Sequence, residues 1–123
     1  MIIKRSISEI PSFIAGDATV LKEIFHPDKE QLPFNYSLAH AELLPGQSSY
    51  PHTLEGRSEL YVFLQGFGQA TVGEEEVAVK AGDLVWVPPN TTQFVKNTGS
   101  ENLVFLCIVD PPWKQEAEEV LSK

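Results

Sequence analysis

The stretch Gly46-Gln-Ser-Ser-Tyr-Pro-His-Thr-Leu-Glu-Gly-Arg-Ser-Glu-Leu-Tyr-Val-Phe-Leu-Gln-Gly66 decides the fold that we expect for this chain. It places His52 and Glu59 just before an apolar run, and because both faces of that run are apolar, the run is typical of a central strand. A second stretch, Gly82-Asp-Leu-Val-Trp-Val-Pro-Pro-Asn-Thr-Thr-Gln-Phe-Val-Lys-Asn97, joins two further short strands through a rigid proline corner. Both stretches therefore predict strands connected by tight turns.

The rest of the chain follows the same plan of short strands separated by turns. Turn residues recur about every 8–12 positions, which is typical of a β-sandwich or a β-barrel. Periodicity does not separate these two architectures. The predicted strands, which include those of the two quoted stretches, are 19–25, 35–44, 59–65, 84–87, 93–97 and 102–109. A hairpin is predicted over 68–80.

Both ends of the chain are expected to differ from this central β-region. Residues 1–18 carry scattered isoleucines and a phenylalanine, and we interpret them as an arm that docks on the body. Near the other end, Asp110-Pro111 has the form of a helix start, with an N-cap acceptor followed by proline. An apolar stripe at helical spacing then predicts a short C-terminal helix over residues 111–122, and its members are Trp113, Ala117, Val120 and Leu121.

The length and composition favour a single domain over residues 1–123. A chain of 123 residues with 42% hydrophobic residues has enough apolar material for one core. The net charge of −8 predicts repulsion from phosphate backbones, so we expect no nucleic-acid partner. No apolar run approaches the roughly 20 residues that cross a bilayer, and the N-terminus has no apolar signal core. We therefore expect no membrane partner and a cytoplasmic location.

The two quoted stretches resemble the two signature motifs of the cupin family. The first motif is Gly, a spacer, His-x-His, a spacer, Glu, a spacer and Gly, and its positions here hold Gly46, His52, Leu54, Glu59 and Gly66. The second motif is Gly, a spacer, Pro-x-Gly, a spacer, His, a spacer and Asn, and its positions hold Gly82, Pro88, Asn90, Gln93 and Asn97. The resemblance covers roughly residues 36–109 and implies an all-β fold, the jelly-roll barrel known as a double-stranded β-helix.

In cupins these motifs hold a metal ion, so the resemblance implies a divalent-metal site built by His52, Glu59 and Gln93. Imidazole, carboxylate and amide donors of this kind suit a loosely held Zn, Mn, Fe or Ni ion. Each residue has a second interpretation: His52 bonded to nearby backbone, Glu59 at the rim beside a basic residue, and Gln93 orienting a substrate. Because two histidines of the motifs are missing, an empty metal site is an alternative that the sequence leaves open.

Two further sets of residues are candidates for the site. His40 lies on the strand directly before the first motif, and if its side chain faces inward it can supply the missing imidazole or act as an acid–base group. Glu59 or His40 would then shuttle a proton. The alternative places His40 on the outer face at a subunit contact, because a slip of one residue inverts a strand. Aromatic side chains that can line the pocket and contact a bound molecule are Tyr61, Phe63 and Trp86.

Three functional hypotheses follow. The first is a metal-dependent enzyme, since similar cupins include isomerases, epimerases, dioxygenases and decarboxylases that act on sugars or small acids. The second is a metal-free binding module for a small polar molecule, and the third is a dimeric barrel with a vestigial pocket. We also expect a homodimer, with the arm residues Ile2, Ile3 and Ile7 contributing to the interface.

Overall fold

Eleven β-strands account for almost all the regular structure of this chain. The computed structural model describes residues 1–123, and its one α-helix, α1, is the single turn Pro27–Glu30. No helix has the length and apolar character that crossing a bilayer requires. The strands are β1 (Phe13–Ile14), β2 (Val20–Phe25), β3 (Ser37–Leu43), β4 (His52–Leu54), β5 (Ser58–Gln65), β6 (Phe67–Val72), β7 (Glu75–Lys80), β8 (Leu84–Val87), β9 (Gln93–Asn97), β10 (Leu103–Asp110) and β11 (Glu118–Val120).

The strands form two antiparallel sheets that share one core. One sheet has six strands in the order β1-β2-β3-β10-β5-β8, and the other has five strands in the order β11-β4-β9-β6-β7. Neighbouring strands are often distant in sequence, as when β10 pairs with both β3 and β5. This is the jelly-roll architecture that the resemblance implies, so the all-β prediction is confirmed.

An apolar core fills most of the space between the two sheets. On β10 buried and less buried residues alternate, and most of β5 follows the same pattern, so every second side chain points into the barrel. Three inward side chains, Tyr61, Phe63 and Phe105, pack with ring centroids 5.3, 5.6 and 6.1 Å apart. Removal of these rings from water is a main source of stability. The other members of the core are Ala41, Leu43, Ala70, Val79, Val87, Val95, Leu103 and Cys107.

The backbone explains one departure from the family pattern, the asparagine at position 90. Asn90 has a φ of 62°, in the left-handed region that glycine and asparagine adopt more readily than other residues. Its Oδ1 also accepts a hydrogen bond from the Gly56 N–H at 2.8 Å. Gly66 has a stricter requirement, because its φ is 90° and a Cβ there would lie 2.8 Å from the Asn102 carbonyl oxygen. The turn after β5 therefore needs glycine, whereas the turn after β8 accepts asparagine.

The N-terminal arm docks on the six-stranded sheet through polar contacts. Arg5 Nη1 donates to the Ile24 carbonyl oxygen at 2.5 Å, and the Arg5 guanidinium forms an ion pair with Glu30. This docking buries little of the arm's isoleucine side chains, since Ile2 is 93% and Ile3 is 42% exposed. The arm is therefore held by Arg5 and by the pairing of β1 with β2, and Ile2 and Ile3 remain in contact with water.

The structure corrects the predicted C-terminal α-helix over residues 111–122. Residues Gln115–Ala117 form one 3-10 turn, and β11 then pairs antiparallel with β4 at the edge of the five-stranded sheet. The Leu121 N–H donates to the Pro51 carbonyl oxygen at 2.8 Å, which extends this pairing beyond the strand. Backbone groups of the short β4 need partners, and pairing with β11 satisfies them. Tertiary pairing therefore overrides the weak helical stripe.

Candidate functional site

The barrel contains a cavity of about 100 Å³ beside the apolar core. Strands β2 and β4 bound it, together with one end of each of β3, β5 and β10. The segments that precede β2 and follow β10 complete its wall. Two residues of the predicted metal site, His52 and Glu59, meet in this cavity. The polar residues and the tryptophan of its lining are Asp17, Thr19, Glu23, Ser37, His52, Glu59, Cys107, Trp113 and Glu118.

His52 enters the cavity from β4 with one free ring nitrogen. Its Nδ1 atom lies 2.8 Å from the Tyr50 carbonyl oxygen. Because a carbonyl oxygen can only accept, Nδ1 carries a proton, and in this tautomer Nε2 is the acceptor of the ring. Asp17 Oδ2 lies 3.9 Å from Nε2, beyond hydrogen-bond distance. The side chain is 3% exposed and lines the cavity, and its Nε2 atom has no hydrogen-bond partner.

Glu59 lies at the start of β5, opposite Val109 of β10, and is buried. Burial is the main reason that the pKa of Glu59 is raised to about 8, and the charge of Asp17 adds to it. Hydrogen bonding by the side chains of Cys107 and Gln93 opposes this rise. Burial also raises the pKa of the Cys107 thiol. Near neutral pH the cavity therefore contains a neutral carboxylic acid beside a neutral thiol.

Gln93, the third predicted metal ligand, lies behind the cavity wall. It is the register partner of His52 between β4 and β9, and it is 1% exposed. The Tyr61 hydroxyl donates a hydrogen bond to Gln93 Oε1, and burial raises the pKa of Tyr61, which keeps this donor protonated. The oxygen that was expected to bind a metal ion therefore already has a donor. Tyr61, which was expected to line the pocket, lies in the core beside the cavity.

Two carboxyl groups that the motifs do not contain reach the cavity from opposite ends of the chain. Asp17 lies in the turn before β2, where its Oδ1 accepts hydrogen bonds from the Thr19 N–H at 3.1 Å and hydroxyl at 2.7 Å. Glu118 begins β11, and its Oε2 accepts a hydrogen bond from the Trp113 indole N–H at 3.2 Å. Burial raises the pKa of Glu118. No sequence signal indicated either residue, since one falls in the arm and the other in the predicted helix.

Trp113, which lines the cavity, is held in place by two contacts of its backbone. His26 Nδ1 accepts a hydrogen bond from the Asp28 N–H at 3.2 Å, so its Nε2 carries the proton and donates to the Trp113 carbonyl oxygen at 2.7 Å. The Trp113 N–H donates to Ser37 Oγ at 3.0 Å. His26 is therefore a structural histidine that fixes the segment after β10 against α1 and β3.

Three more of the predicted site residues lie outside the cavity. Ala39 lines the cavity and Ala41 belongs to the core, so His40 between them points to the opposite face of β3. His40 is 8% exposed, its Nδ1 has no hydrogen-bond partner, and burial lowers its pKa. Phe63 belongs to the apolar core, and Trp86 on β8 is 60% exposed. The structure therefore matches the alternative in which His40 faces outward.

The cavity as arranged does not fit a divalent metal ion. No three side chains of the His, Cys, Asp and Glu types converge closely enough to hold one. Among the predicted ligands, His52 offers a free nitrogen, Glu59 favours its protonated form, and Gln93 already accepts a hydrogen bond. Of the three predicted ligands, His52 alone therefore presents a donor atom without a hydrogen-bond partner.

Comparison with known proteins agrees with this fold. A family model described as the cupin domain matches residues 39–109. An uncharacterized protein of Methanocaldococcus jannaschii is 32% identical over 121 residues, which cover 98% of this chain and 96% of that protein. The oxalate-binding protein of Thermotoga maritima is 34% identical over 71 residues, which cover 58% of this chain and 59% of that protein.

A solved structure has the same architecture. The crystal structure of a predicted oxalate decarboxylase from Thermotoga maritima superimposes with a TM-score of 0.77 and 24% sequence identity. The superposition covers 90% of this chain and 99% of that chain. The family match spans more than half of the chain, and the archaeal relative matches nearly all of it. The chain therefore belongs to the cupin family.

Proposed function

We propose that this cupin binds a small polar molecule in its cavity and that no metal ion takes part in the recognition. The observation that carries the proposal is the Nε2 atom of His52, an acceptor on an almost fully buried side chain that has no donor. A donor group on a bound molecule that reaches this atom would form a hydrogen bond shielded from water. A polar ligand is therefore the partner that this histidine lacks.

The size of the cavity limits the ligand, or the part of it that is enclosed. A cavity of about 150 Å³ engineered in another protein holds benzene. The cavity here measures about 100 Å³. A group of roughly four to six non-hydrogen atoms fits such a space. Small polyols, small amines and parts of a sugar are in this range.

The proposed ligand differs from the one that a relative's name indicates. The Thermotoga maritima relative is called an oxalate-binding protein. Oxalate is a dianion near neutral pH, and ionised carboxylates only accept hydrogen bonds. No lysine or arginine lines the cavity, and its carboxyl groups include Asp17 and Glu118, which have no lysine or arginine partner. Because like charges repel in a partly buried site, we do not carry oxalate over to this chain.

Proton transfer to the bound molecule is the second candidate function. Glu59 lines the cavity, and a carboxyl group with a pKa of about 8 can donate a proton near neutral pH. His40, the other residue expected to act in catalysis, points away from the cavity, so Glu59 is the acid to test. A Glu59→Gln variant that binds a panel compound without converting it would support turnover. Equal conversion by the variant and the wild type would contradict it.

Filling the cavity tests the proposed binding function. Ala39→Met adds a side chain at the cavity wall, and the matched control Ala78→Met adds the same side chain on the exposed surface of β7. We expect the chelator-treated wild type and Ala78→Met to show NMR shift changes at cavity residues with members of a panel of small polyols, amines and acids. Ala39→Met should remain folded and lose these changes.

Two results would contradict the binding proposal. One is a panel in which no compound perturbs the cavity of the wild type. The other is an Ala39→Met variant that is folded by thermal unfolding and still binds as tightly as Ala78→Met.

We propose further that two copies of the chain associate through the outer face of the six-stranded sheet. Leu84 and Trp86 on β8 and Leu64 on β5 are 61%, 60% and 46% exposed. The arm presents Ile2 and Ile3, which are 93% and 42% exposed. A two-fold axis lets the arm of each copy cover the apolar strands of the other, so one symmetric contact removes both surfaces from water.

A charge on this face tests the association. Leu84→Glu places a carboxylate among the exposed apolar residues, and the control Val77→Glu places one at a 49% exposed site on the other sheet. We expect light scattering to report a dimer for the wild type and Val77→Glu and a monomer for Leu84→Glu. A wild-type protein that is monomeric at micromolar concentration would contradict the proposal.

A further inference from the structure

The unused hydrogen-bonding atoms around His52 are acceptors, and from this we infer that the ligand of the cavity is a small organic cation with N–H donors, such as a primary ammonium. The inference rests on the proposed binding function and names the chemical class of its ligand. The charge, the hydrogen bonding and the aromatic content of the lining each support this class.

The cavity lining carries negative charge without a lysine or arginine to balance it. The carboxyl groups that reach it are those of Asp17, Glu23, Glu59 and Glu118, and Glu59 among them favours its protonated, neutral form. Glu23 already has a partner, because Lys29 Nζ lies 2.8 Å from its Oε1. Neither Asp17 nor Glu118 has a lysine or arginine within 4.0 Å. These two carboxyl groups are therefore the ones that a bound cation would neutralise.

Three polar atoms that remain free at this site are acceptors. Asp17 uses Oδ1 within its own turn and leaves Oδ2 without a donor. Glu118 uses Oε2 for the indole of Trp113 and leaves Oε1 free. His52 has committed its Nδ1 proton to Tyr50, so Nε2 also accepts. A ligand that satisfies these atoms must bring several donors, as an ammonium group with its three N–H bonds does.

His52 supports the inference independently of the acidic residues. Its side chain is 3% exposed, and its Nε2 atom has no hydrogen-bond partner. Because His52 lines the cavity, a molecule inside the cavity can supply the donor for this atom. A cation that contacts Asp17 Oδ2 would lie next to this nitrogen, since the two atoms are 3.9 Å apart.

Aromatic side chains lie beside the same groups. Trp113 and Phe13 line the cavity, and the indole hydrogen bond fixes Trp113 next to Glu118. Aromatic ring faces attract organic cations through the ring quadrupole. Carboxylates and aromatic rings together are the surroundings that an organic ammonium prefers, and they do not require the fixed ligand geometry of a metal centre.

Three probes of similar size and different charge test the inference. Ethanolamine, ethylene glycol and glycolate share a hydroxymethyl group and differ in carrying an ammonium, a hydroxyl and a carboxylate. Each is titrated into chelator-treated protein while NMR follows the amide signals of Asp17, Cys107 and Glu118. We expect ethanolamine to bind roughly tenfold more tightly than ethylene glycol, because its hydrogen bonds are charge-assisted, and glycolate to bind most weakly.

Charge-neutralising variants show whether the cavity carboxylates are responsible. Asp17→Asn and Glu118→Gln remove a charge and keep the shape of the side chain. Glu119→Gln removes the same charge from the neighbouring exposed residue of β11 and is the matched control. We expect each cavity variant to weaken ethanolamine binding roughly tenfold and to change ethylene glycol binding by less than about twofold. Glu119→Gln should leave all three affinities unchanged.

The outcomes separate this inference from the proposed function. Ethylene glycol or glycolate binding as tightly as ethanolamine would overturn the cation assignment and leave the binding function standing. The cation assignment would also fail if Glu119→Gln weakened ethanolamine binding as much as Asp17→Asn. If none of the three probes perturbed the cavity at millimolar concentration, both the inference and the proposed function would be wrong.

Discussion

Strands β5 and β10 pair along most of their length, and the two ends of this pair face different surroundings. At one end Phe63 and Phe105 are register partners whose ring centroids lie 5.3 Å apart in the apolar core. At the other end the register partners Glu59 and Val109 line the cavity. Tyr61 lies between the two ends, with its ring against Phe63 and its hydroxyl in a hydrogen bond.

The difference between the two ends shows how one barrel combines stability with binding. The same period of two directs the side chains inward at both ends, so only their chemistry changes. The apolar end is packed with aromatic and aliphatic side chains, and their burial stabilises the fold. The polar end keeps a cavity of about 100 Å³ lined by carboxyl groups and His52, an arrangement that costs stability and suits a ligand.

Truncation at the apolar end should have the largest effect. Phe63 is 1% exposed, and Phe63→Ala should lower the free energy of unfolding by about 3–5 kcal/mol because it leaves a void in the core. Phe67→Ala, at a residue that is 58% exposed, is the matched control and should cost less than about 1 kcal/mol. Chemical denaturation measures both variants. Similar losses of unfolding free energy in the two variants would contradict the proposed division of the barrel into an apolar end and a polar end.

The polar end should make stability depend on pH. The pKa of Glu59 is about 8 in the folded protein and 4.5 in its ordinary state, so between these values the folded chain holds a proton that the unfolded chain has lost. The stabilising contribution of this proton is complete below about pH 4.5 and is lost as the pH rises to about 8. The slope is at most about 1.4 kcal/mol per pH unit.

Glu59→Gln isolates this effect because its amide is neutral at every pH. Between about pH 5 and pH 8 the wild type should lose roughly 3 kcal/mol more of its free energy of unfolding than the variant does. Urea denaturation at a series of pH values gives the two curves. Parallel curves would show that Glu59 ionises normally in the folded protein.

The junction between the two ends should respond more weakly. Tyr61→Phe leaves Gln93 Oε1 without its donor and should cost about 1–3 kcal/mol of the free energy of unfolding. Tyr36→Phe, at a residue that is 43% exposed, is the control and should be neutral. Adding Gln93→Met to Tyr61→Phe should recover part of the loss, because both polar groups are then gone. If Tyr61→Phe were as stable as Tyr36→Phe, the buried hydrogen bond would contribute nothing.

Backbone strain at the cavity end should give the smallest effect. Ala18, next to Asp17, has a φ of 77°, a conformation that costs an L-residue about 1–2 kcal/mol. Glycine removes this cost, but it loses more conformational entropy on folding, which destabilises the protein by about 0.5–1 kcal/mol. The balance predicts that Ala18→Gly stabilises the protein by about 0.5 kcal/mol. Ala81→Gly, in a turn where position 81 has no positive φ, should be slightly destabilising. A destabilising Ala18→Gly in parallel thermal unfolding would argue against strain in this turn.

Local patterns predict the fold and part of the cavity. The expected strands at 19–25 and 102–109 correspond to β2 (Val20–Phe25) and β10 (Leu103–Asp110) within one or two residues. Period-two alternation and turn residues carry this information, because both act over a few neighbouring positions. The motif spacing likewise identifies His52 and Glu59, which line the cavity.

The rest of the site depends on contacts between distant parts of the chain. Asp17 reaches the cavity because the segment before β2 folds against the barrel, and Glu118 does so because β11 pairs with β4. The face of the sheet on which the His40 side chain lies depends on the register of β3, which no local pattern fixes. The side-chain oxygen of Gln93 accepts a hydrogen bond from Tyr61, which lies 32 positions away in the sequence. No local sequence pattern predicts this partner.

The metal content of the protein shows most directly whether the cavity recognises its ligand without a metal ion. Untagged protein is incubated in turn with Zn²⁺, Mn²⁺, Fe²⁺ and Ni²⁺, dialysed against metal-free buffer, and analysed by mass spectrometry for bound metal. We predict an occupancy well below one ion per chain, equal in the wild type and in His52→Ala, because no three donor side chains converge in the cavity. One ion per chain in the wild type, lost in His52→Ala, would contradict this prediction and support the metal site that the motifs imply.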